Sequence, residues 1–319
     1  MGLRLSVRRL TWQQSVQSEA AIRPGLIPVV KGNGYGFGRM RLMPLAARLS
    51  THIAVGNVYE AADVPDDRVA VVLTPHIGEL PETLPDSATL TVASIAHVDA
   101  LRARGWTGSV VLKLRSSMHR FGVTAADLAS LSHAVDSAGF VAVAYALHFP
   151  LVGTSHEHSR EVHAWLAHLD PQLPVSVSHL DVEAYQQLRE GYPAHRFEIR
   201  CGTSIWHGAK TSLHLSADVI DIHAVSQNDT VGYRGETIPA NGHVVIVAAG
   251  SSNGVTALDD GRSPFHFARQ RLALIEPPYM HTSMLFVALN QTCPSVGERV
   301  DVQRPLTRTD VDEVEWLDD

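Results

Sequence analysis

Residues 29–38 read VVKGNGYGFG, placing Lys31 after two valines and ahead of Gly32, Gly34, Gly36 and Gly38. An ammonium held at the end of an apolar strand is partly desolvated, which lowers its pKa and frees the amine to form a Schiff base with a carbonyl. The plainer alternative is a lysine that snorkels to water. The glycine spacing fits neither GxGxxG nor a P-loop, so a turn passing close under a ligand explains it better than nucleotide binding. Other polar residues also end apolar runs: Lys113 with Arg120 beyond it, His148, Ser178 with His179, and Arg200.

Something must gather these residues. The runs LIPVVK, HIAVGN, VAVVLT, LTVASI, SVVLKL, FVAVAYALH, PVSVSH and RFEIR are apolar on both faces. Amphipathic stretches such as MRLMPLAARLS, AADLASLSHAVDSAG and DVEAYQQLREGY separate most of them. Eight such units without reversal predict a parallel (β/α)8 barrel, whose chemistry belongs at the carboxyl ends of its strands. The polar residues above fall at that end. From about residue 213 the texture changes, because SADVIDIHAVSQNDTVGYRGETIPANGHVVIVAAG alternates apolar and polar residues between turn signals. The expected domains are therefore a barrel over 1–212, with a short N-terminal β segment, and a smaller, mostly β domain over 213–319.

Composition narrows the function. With 319 residues, 45% of them hydrophobic, the chain can bury a sizeable core. Its net charge of −7 is dispersed, without the basic patch that nucleic acid demands. No apolar run reaches membrane length and no signal peptide is evident, so a cytoplasmic location is expected. Cys201 and Cys293 are too few for a disulfide framework and are read as reduced. A metal-dependent hydrolase is the contrasting reading, since SHEHSREVH offers His156 and His158 as an HxH. That motif opens a helix after the sixth strand rather than ending the first, so no metal is expected and both histidines are read as a solvated helix start.

Several segments together carry a resemblance. VVKGNGYGFG, LKLRSSMHRFG (112–122), ALHFP (146–150), IRCGTSI (199–205) and PPYMHTSMLFV (277–287) occur in order, and IAVGNVYEAADV adds a further echo. Each resembles a segment of the alanine racemase family, and together they span nearly the whole chain. The resemblance implies a pyridoxal 5′-phosphate enzyme, a head-to-tail homodimer acting on a small amino acid, and an N-terminal (β/α)8 barrel followed by a β domain.

It also implies roles. Lys31 carries the cofactor as a Schiff base and abstracts the Cα proton on one face. Tyr35, Gly202, Thr203 and the nearby Ser178 serve the phosphate, Arg200 faces the ring nitrogen, and His148 lies beside the ring, bonded towards Arg200. Arg120 and Met280 belong to the substrate side, and Lys113 matches a lysine often carbamylated to hold that arginine. The pattern departs from the family at Arg115–Ser117, where Asp-Thr-Gly is usual, and at Ser251, where the catalytic tyrosine of the C-terminal domain stands. His281 is the candidate replacement for the second proton donor, ahead of Tyr279. The resemblance thus implies a racemase or epimerase; the alternative is a relative that binds the cofactor without racemising alanine, through one-base chemistry, another substrate or a regulatory role.

Overall fold

The computed structural model describes residues 1–318. After β1 (Leu3–Arg8) and α1 (Arg9–Ala21) come β2 (Leu26–Pro28), α2 (Arg39–Leu49), β3 (His52–Val55), β4 (Val69–Val72), β5 (Thr89–Val92) and α3 (Ile95–Ala103). Then follow β6 (Ser109–Lys113), α4 (Ala125–Ser137), β7 (Val141–Ala146), α5 (Ser155–Leu166), β8 (Val175–Ser178), α6 (Val182–Gly191), β9 (Phe197–Cys201), α7 (Thr203–Trp206) and β10 (Leu213–Val225).

All eight expected runs form strands of one parallel sheet, ordered β2-β9-β8-β7-β6-β5-β4-β3. The ring closes where Val30 N–H donates to the Ala54 carbonyl at 2.8 Å, beside an isolated parallel bridge between Val29 and Ala54. Helices start where capping chemistry allows. Thr154 and Glu157 form a capping box at α5, and Asp181 accepts the Ala184 N–H at 2.8 Å at α6. Between β4 and β5 no helix forms, because Pro75, Gly78, Pro81 and Pro85 interrupt the segment.

The chain divides into two compact units: residues 15–32 with 39–208, and residues 1–14 with 33–38 and 209–319. Besides starting its long stretch at 209 rather than 213, the second unit takes in two earlier stretches of chain. First, β1 pairs antiparallel with β10 and parallel with Glu313–Leu317, so the N-terminal strand completes the sheet of the C-terminal residues. Leu3, Leu5 and Val7 on β1 are fully buried. Second, residues 33–38 dock on residues of that same unit. The Asn33 side chain donates to the carbonyls of Leu306 and Thr309 at 2.7 and 2.8 Å, and Phe37 joins Trp12 and Trp316 in an aromatic cluster.

These contacts explain part of the glycine pattern. Gly36 has φ 89°, and a Cβ there would lie 3.1 Å from the Leu306 carbonyl oxygen. Gly32, at φ 57°, would meet nothing within 4 Å, so it is the left-handed backbone that calls for glycine there.

The rest of the second unit is antiparallel. β10 also pairs with Gly242–Val247 and Arg299–Val302, and Gly242–Val247 pairs with Ser283–Ala288. Inward residues such as Val245, Val247, Leu285 and Val287 are fully buried, in the alternation expected of a sheet with one covered face.

Candidate active site

Lys31 lies three residues beyond β2, where the backbone turns left-handed. The residue as a whole is exposed. Its ammonium is nevertheless enclosed enough that desolvation, ahead of the like charge of Arg120, lowers its pKa; Glu60 opposes the shift and Arg200 adds to it. Glu60 is buried, and its carboxylate accepts the N–H groups of Gly32 at 3.0 Å and Gly56 at 2.7 Å, so it fixes the turn that follows the lysine. Sequence reasoning missed this residue, which IAVGNVYEAADV offers beside a second acidic residue, Asp63.

Deeper in the barrel, Lys113 at the end of β6 and Arg200 on β9 are both buried. They line a cavity of about 690 Å³ among small inward residues that include Thr89, Thr91, Ala144, Ala146 and Ser176. Desolvation, then Arg200 and Arg120, hold the Lys113 pKa well below the usual lysine range. Burial brings the Arg200 guanidinium down to about 10, which leaves it charged at neutral pH. Arg200 donates to Ser176 Oγ at 2.6 Å and to the Leu147 carbonyl. Ser176 is the second unforeseen residue; it lies two before Ser178, on the same face of β8.

His148 directs its Nδ1 to Ser178 Oγ at 2.7 Å, not to Arg200, while Ser116 Oγ donates to the His148 carbonyl at 2.6 Å. Its ring also meets His179, 4.7 Å away between centroids. Desolvation and then the charge of Arg200 push the His148 pKa down to about 2. In an unfolded chain an ordinary imidazole binds its proton near pH 6.5. Stability from keeping His148 neutral is therefore present above that pH and is lost as pH falls towards 2. His148→Gln should flatten the acid limb, reducing the slope of unfolding free energy between pH 6.5 and 5 by roughly 1 kcal/mol per pH unit. Denaturant titrations at pH 5, 6 and 7 measure this; an unchanged slope would contradict it.

Arg120 is exposed, stacks its guanidinium over the Phe121 ring at 5.3 Å, and acts electrostatically on Lys31, Lys113 and His148. Gly202 precedes the short α7, whose first residue is Thr203. The leading N–H groups of a helix have no acceptor within it. Of the HxH pair, His158 is buried rather than solvated: it stacks on Phe149 at 4.8 Å and its Nδ1 meets the His179 carbonyl at 3.3 Å. No group of three or more candidate metal ligands occurs among the described residues.

The other unit holds the remaining candidates. Tyr35 is buried at φ 57°. Ser251 N–H donates to the Tyr279 carbonyl at 2.7 Å and Ser252 N–H to that of Met280 at 2.9 Å, which brings Ser251 beside the 279–281 segment. Met280 is exposed; His281, exposed too, meets Ser252 Oγ through Nδ1 at 3.1 Å. The Tyr279 hydroxyl is instead engaged by the buried Glu276 carboxylate, which also accepts the N–H groups of Tyr233 and Arg234. Among the described residues His281 Nε2 has no hydrogen-bond partner, whereas the Tyr279 hydroxyl is engaged.

The fold described above is shared by several solved alanine racemases. That from Bartonella henselae, described with covalently bound pyridoxal phosphate, aligns with a TM-score of 0.73 at 15% identity, over 96% of this chain and 91% of that one. The enzyme from Bacillus anthracis with bound L-Ala-P gives 0.72 at 19% identity, over 94% and 85%. That from D-cycloserine-producing Streptomyces lavendulae gives 0.72 at 16% identity, over 100% and 98%. A search of curated protein sequences returns no match. The sequence profile described as alanine racemase, N-terminal domain, matches residues 12–209, and the chain belongs to that family.

Proposed function

We propose that the protein is a pyridoxal 5′-phosphate-dependent amino-acid racemase or epimerase, acting on a small amino acid as a head-to-tail homodimer in the cytoplasm. One observation carries the reading. Arg120 and Arg200 both act electrostatically on Lys31 and on Lys113, Glu60 offsets only part of this at Lys31, and none of the four cations forms an ion pair with a carboxylate among the described residues. So much uncompensated positive charge, part of it buried, suits an anionic ligand. A phosphorylated aldehyde fits this set, since the donors include an amine of lowered basicity.

Lys31 would hold the cofactor through its amine, with Arg200 facing the ring nitrogen and His148 beside the ring. Ser178, Tyr35 and the N–H groups of Gly202 and Thr203 would serve the phosphate. Bound there, the cofactor supplies an electron sink that acidifies the Cα proton of an attached amino acid. Arg200 cannot readily give up its proton, so facing the ring nitrogen it would favour the unprotonated form and restrain that sink. Arg120 takes the substrate carboxylate, and Met280 is assigned to the substrate side. Carbamylation would convert Lys113 from a buried amine into an anion placed to hold Arg120.

Lys31 removes the proton on one face. Inversion needs a second donor on the opposite face, and we assign it to His281 of the partner subunit. A second reading has the same cofactor without inversion; the observation favouring it is Ser251, which lacks a suitable pKa for a base and stands in the tyrosine's place.

Incubation with pyridoxal 5′-phosphate and single amino acids in D2O tests the proposal. Deuterium at Cα with inversion is expected. Exchange with retention would establish the one-base reading, and no exchange would leave only a binding protein. Borohydride reduction should fix the cofactor on Lys31, and a label on another lysine would refute the assignment.

A further inference from the structure

Beside Arg120 lies a second groove that the proposed reaction does not use. It has a volume of about 440 Å³ and is lined by Ala93, His97, Arg115, His119, Arg120, Phe121 and Gly122. Two arginines and two histidines face it, and no carboxylate does. Neither arginine forms an ion pair among the described residues, although exposed arginines elsewhere in the chain, such as Arg262, find acidic partners.

The groove is built rather than incidental. Arg115 Nε donates to the Gly122 carbonyl at 3.2 Å, which anchors the base of the guanidinium and leaves its terminal nitrogens to face outward ligands. The loop is stitched at its root, where Arg115 N–H donates to the Val123 carbonyl at 2.9 Å and Val123 N–H to that of Lys113 at 3.0 Å. Gly122, at φ 118°, permits this approach, because a Cβ there would fall 2.3 Å from the Leu114 carbonyl carbon. His97 Nδ1 accepts the Ala93 N–H at 3.1 Å, so the neutral ring carries its proton on Nε2 as a donor.

Arg120 links the two places: it lines the groove, and its charge acts on the Lys31 ammonium. We propose that the groove receives an anionic side chain of the substrate, so that the substrate class is an acidic amino acid. Arg120 holds one anionic group, and Arg115, with His97 and His119, holds the other. The side-chain anion is a carboxylate, as in aspartate or glutamate, or a phosphate, as in O-phosphoserine; both match a forked donor set. This rests on the racemase reading and extends it from a small amino acid to one bearing a second charge.

The test compares Cα–H exchange of L-alanine, L-aspartate, L-glutamate and O-phospho-L-serine by the cofactor-loaded protein. In parallel, glutarate or inorganic phosphate is titrated against cofactor-free protein by thermal shift. An acidic substrate should exchange at least tenfold faster than alanine in kcat/KM, and the fastest of the three names the group. In Arg115→Gln the acidic-to-alanine ratio should fall roughly 10- to 100-fold, as expected for losing a charged hydrogen bond, with partial recovery in Arg115→Lys. The thermal shift should weaken in parallel.

Alanine as the fastest substrate, with a ratio indifferent to Arg115, overturns the inference and leaves the racemase reading intact. An Arg115-dependent thermal shift without exchange of any amino acid keeps the anion site and removes the racemase. Absence of both removes the two together.

Discussion

Lys31→Ala protein, mixed with pyridoxal 5′-phosphate, is expected to show no Schiff-base absorbance and to retain no label after borohydride. Its Cα exchange should fall by at least about a thousandfold. The proposal gives one amine two functions, attaching the cofactor and taking the proton, and loss of a positioned base alone costs roughly 10²–10⁴-fold. Stability should change little, since Lys31 is an exposed residue that forms no ion pair among the described residues. Absorption spectra and peptide mapping decide the matter. A Lys31→Ala protein that still turned yellow and kept a single labelled lysine would move the site elsewhere, with Lys113, the other lysine of lowered pKa, as the first place to look.

His281→Ala should separate the two faces of the reaction. Removing the second donor leaves Lys31 in place, so exchange from one enantiomer with retention continues. Inversion should drop by about 10²–10⁴-fold, the usual contribution of a general acid or base. Chiral chromatography of products formed in D2O reads both quantities in one sample. Equal loss of exchange from both enantiomers would mean that His281 supports the site as a whole. Unchanged inversion would return the role to the 279–281 neighbourhood's other occupants, and there Tyr279 is compromised by its bond to Glu276. His281 has its own support from Ser252 Oγ, one residue after Ser251.

The barrel was readable because its strands are apolar on both faces and most are separated by helical segments, which leaves few alternatives to a parallel sheet. Lys31, Lys113, His148, Ser178 and Arg200 could be placed from that alternation alone. What the residues do to one another was less legible. Nothing local distinguishes Ser176, which holds Arg200, from the other serine of PVSVSH, and the pairing of His148 with Ser178 depends on the depth at which neighbouring strands sit. Glu60 likewise reads as one acidic residue among several until the chain turns at Gly32 and presents its N–H. The burial of His158 was misjudged because an HxH at a helix start suggests solvent, whereas Phe149 covers that ring. The grouping of β1 with β10 rests on contacts more than two hundred residues apart in sequence, for which periodicity carries no signal.

That grouping bears on how such a protein can be altered. The chain leaves one unit at Gln14, returns for residues 33–38 and returns again at Ala209, so neither unit exists as one continuous stretch. A fragment ending at 212 would strand an N-terminal segment without the neighbours it hydrogen-bonds to. A transplant of 213–319 into a homologue would import a sheet lacking one of its members. Recombination between family members therefore has no neutral crossover point near residue 212, and Lys31 lies next to one of these crossings.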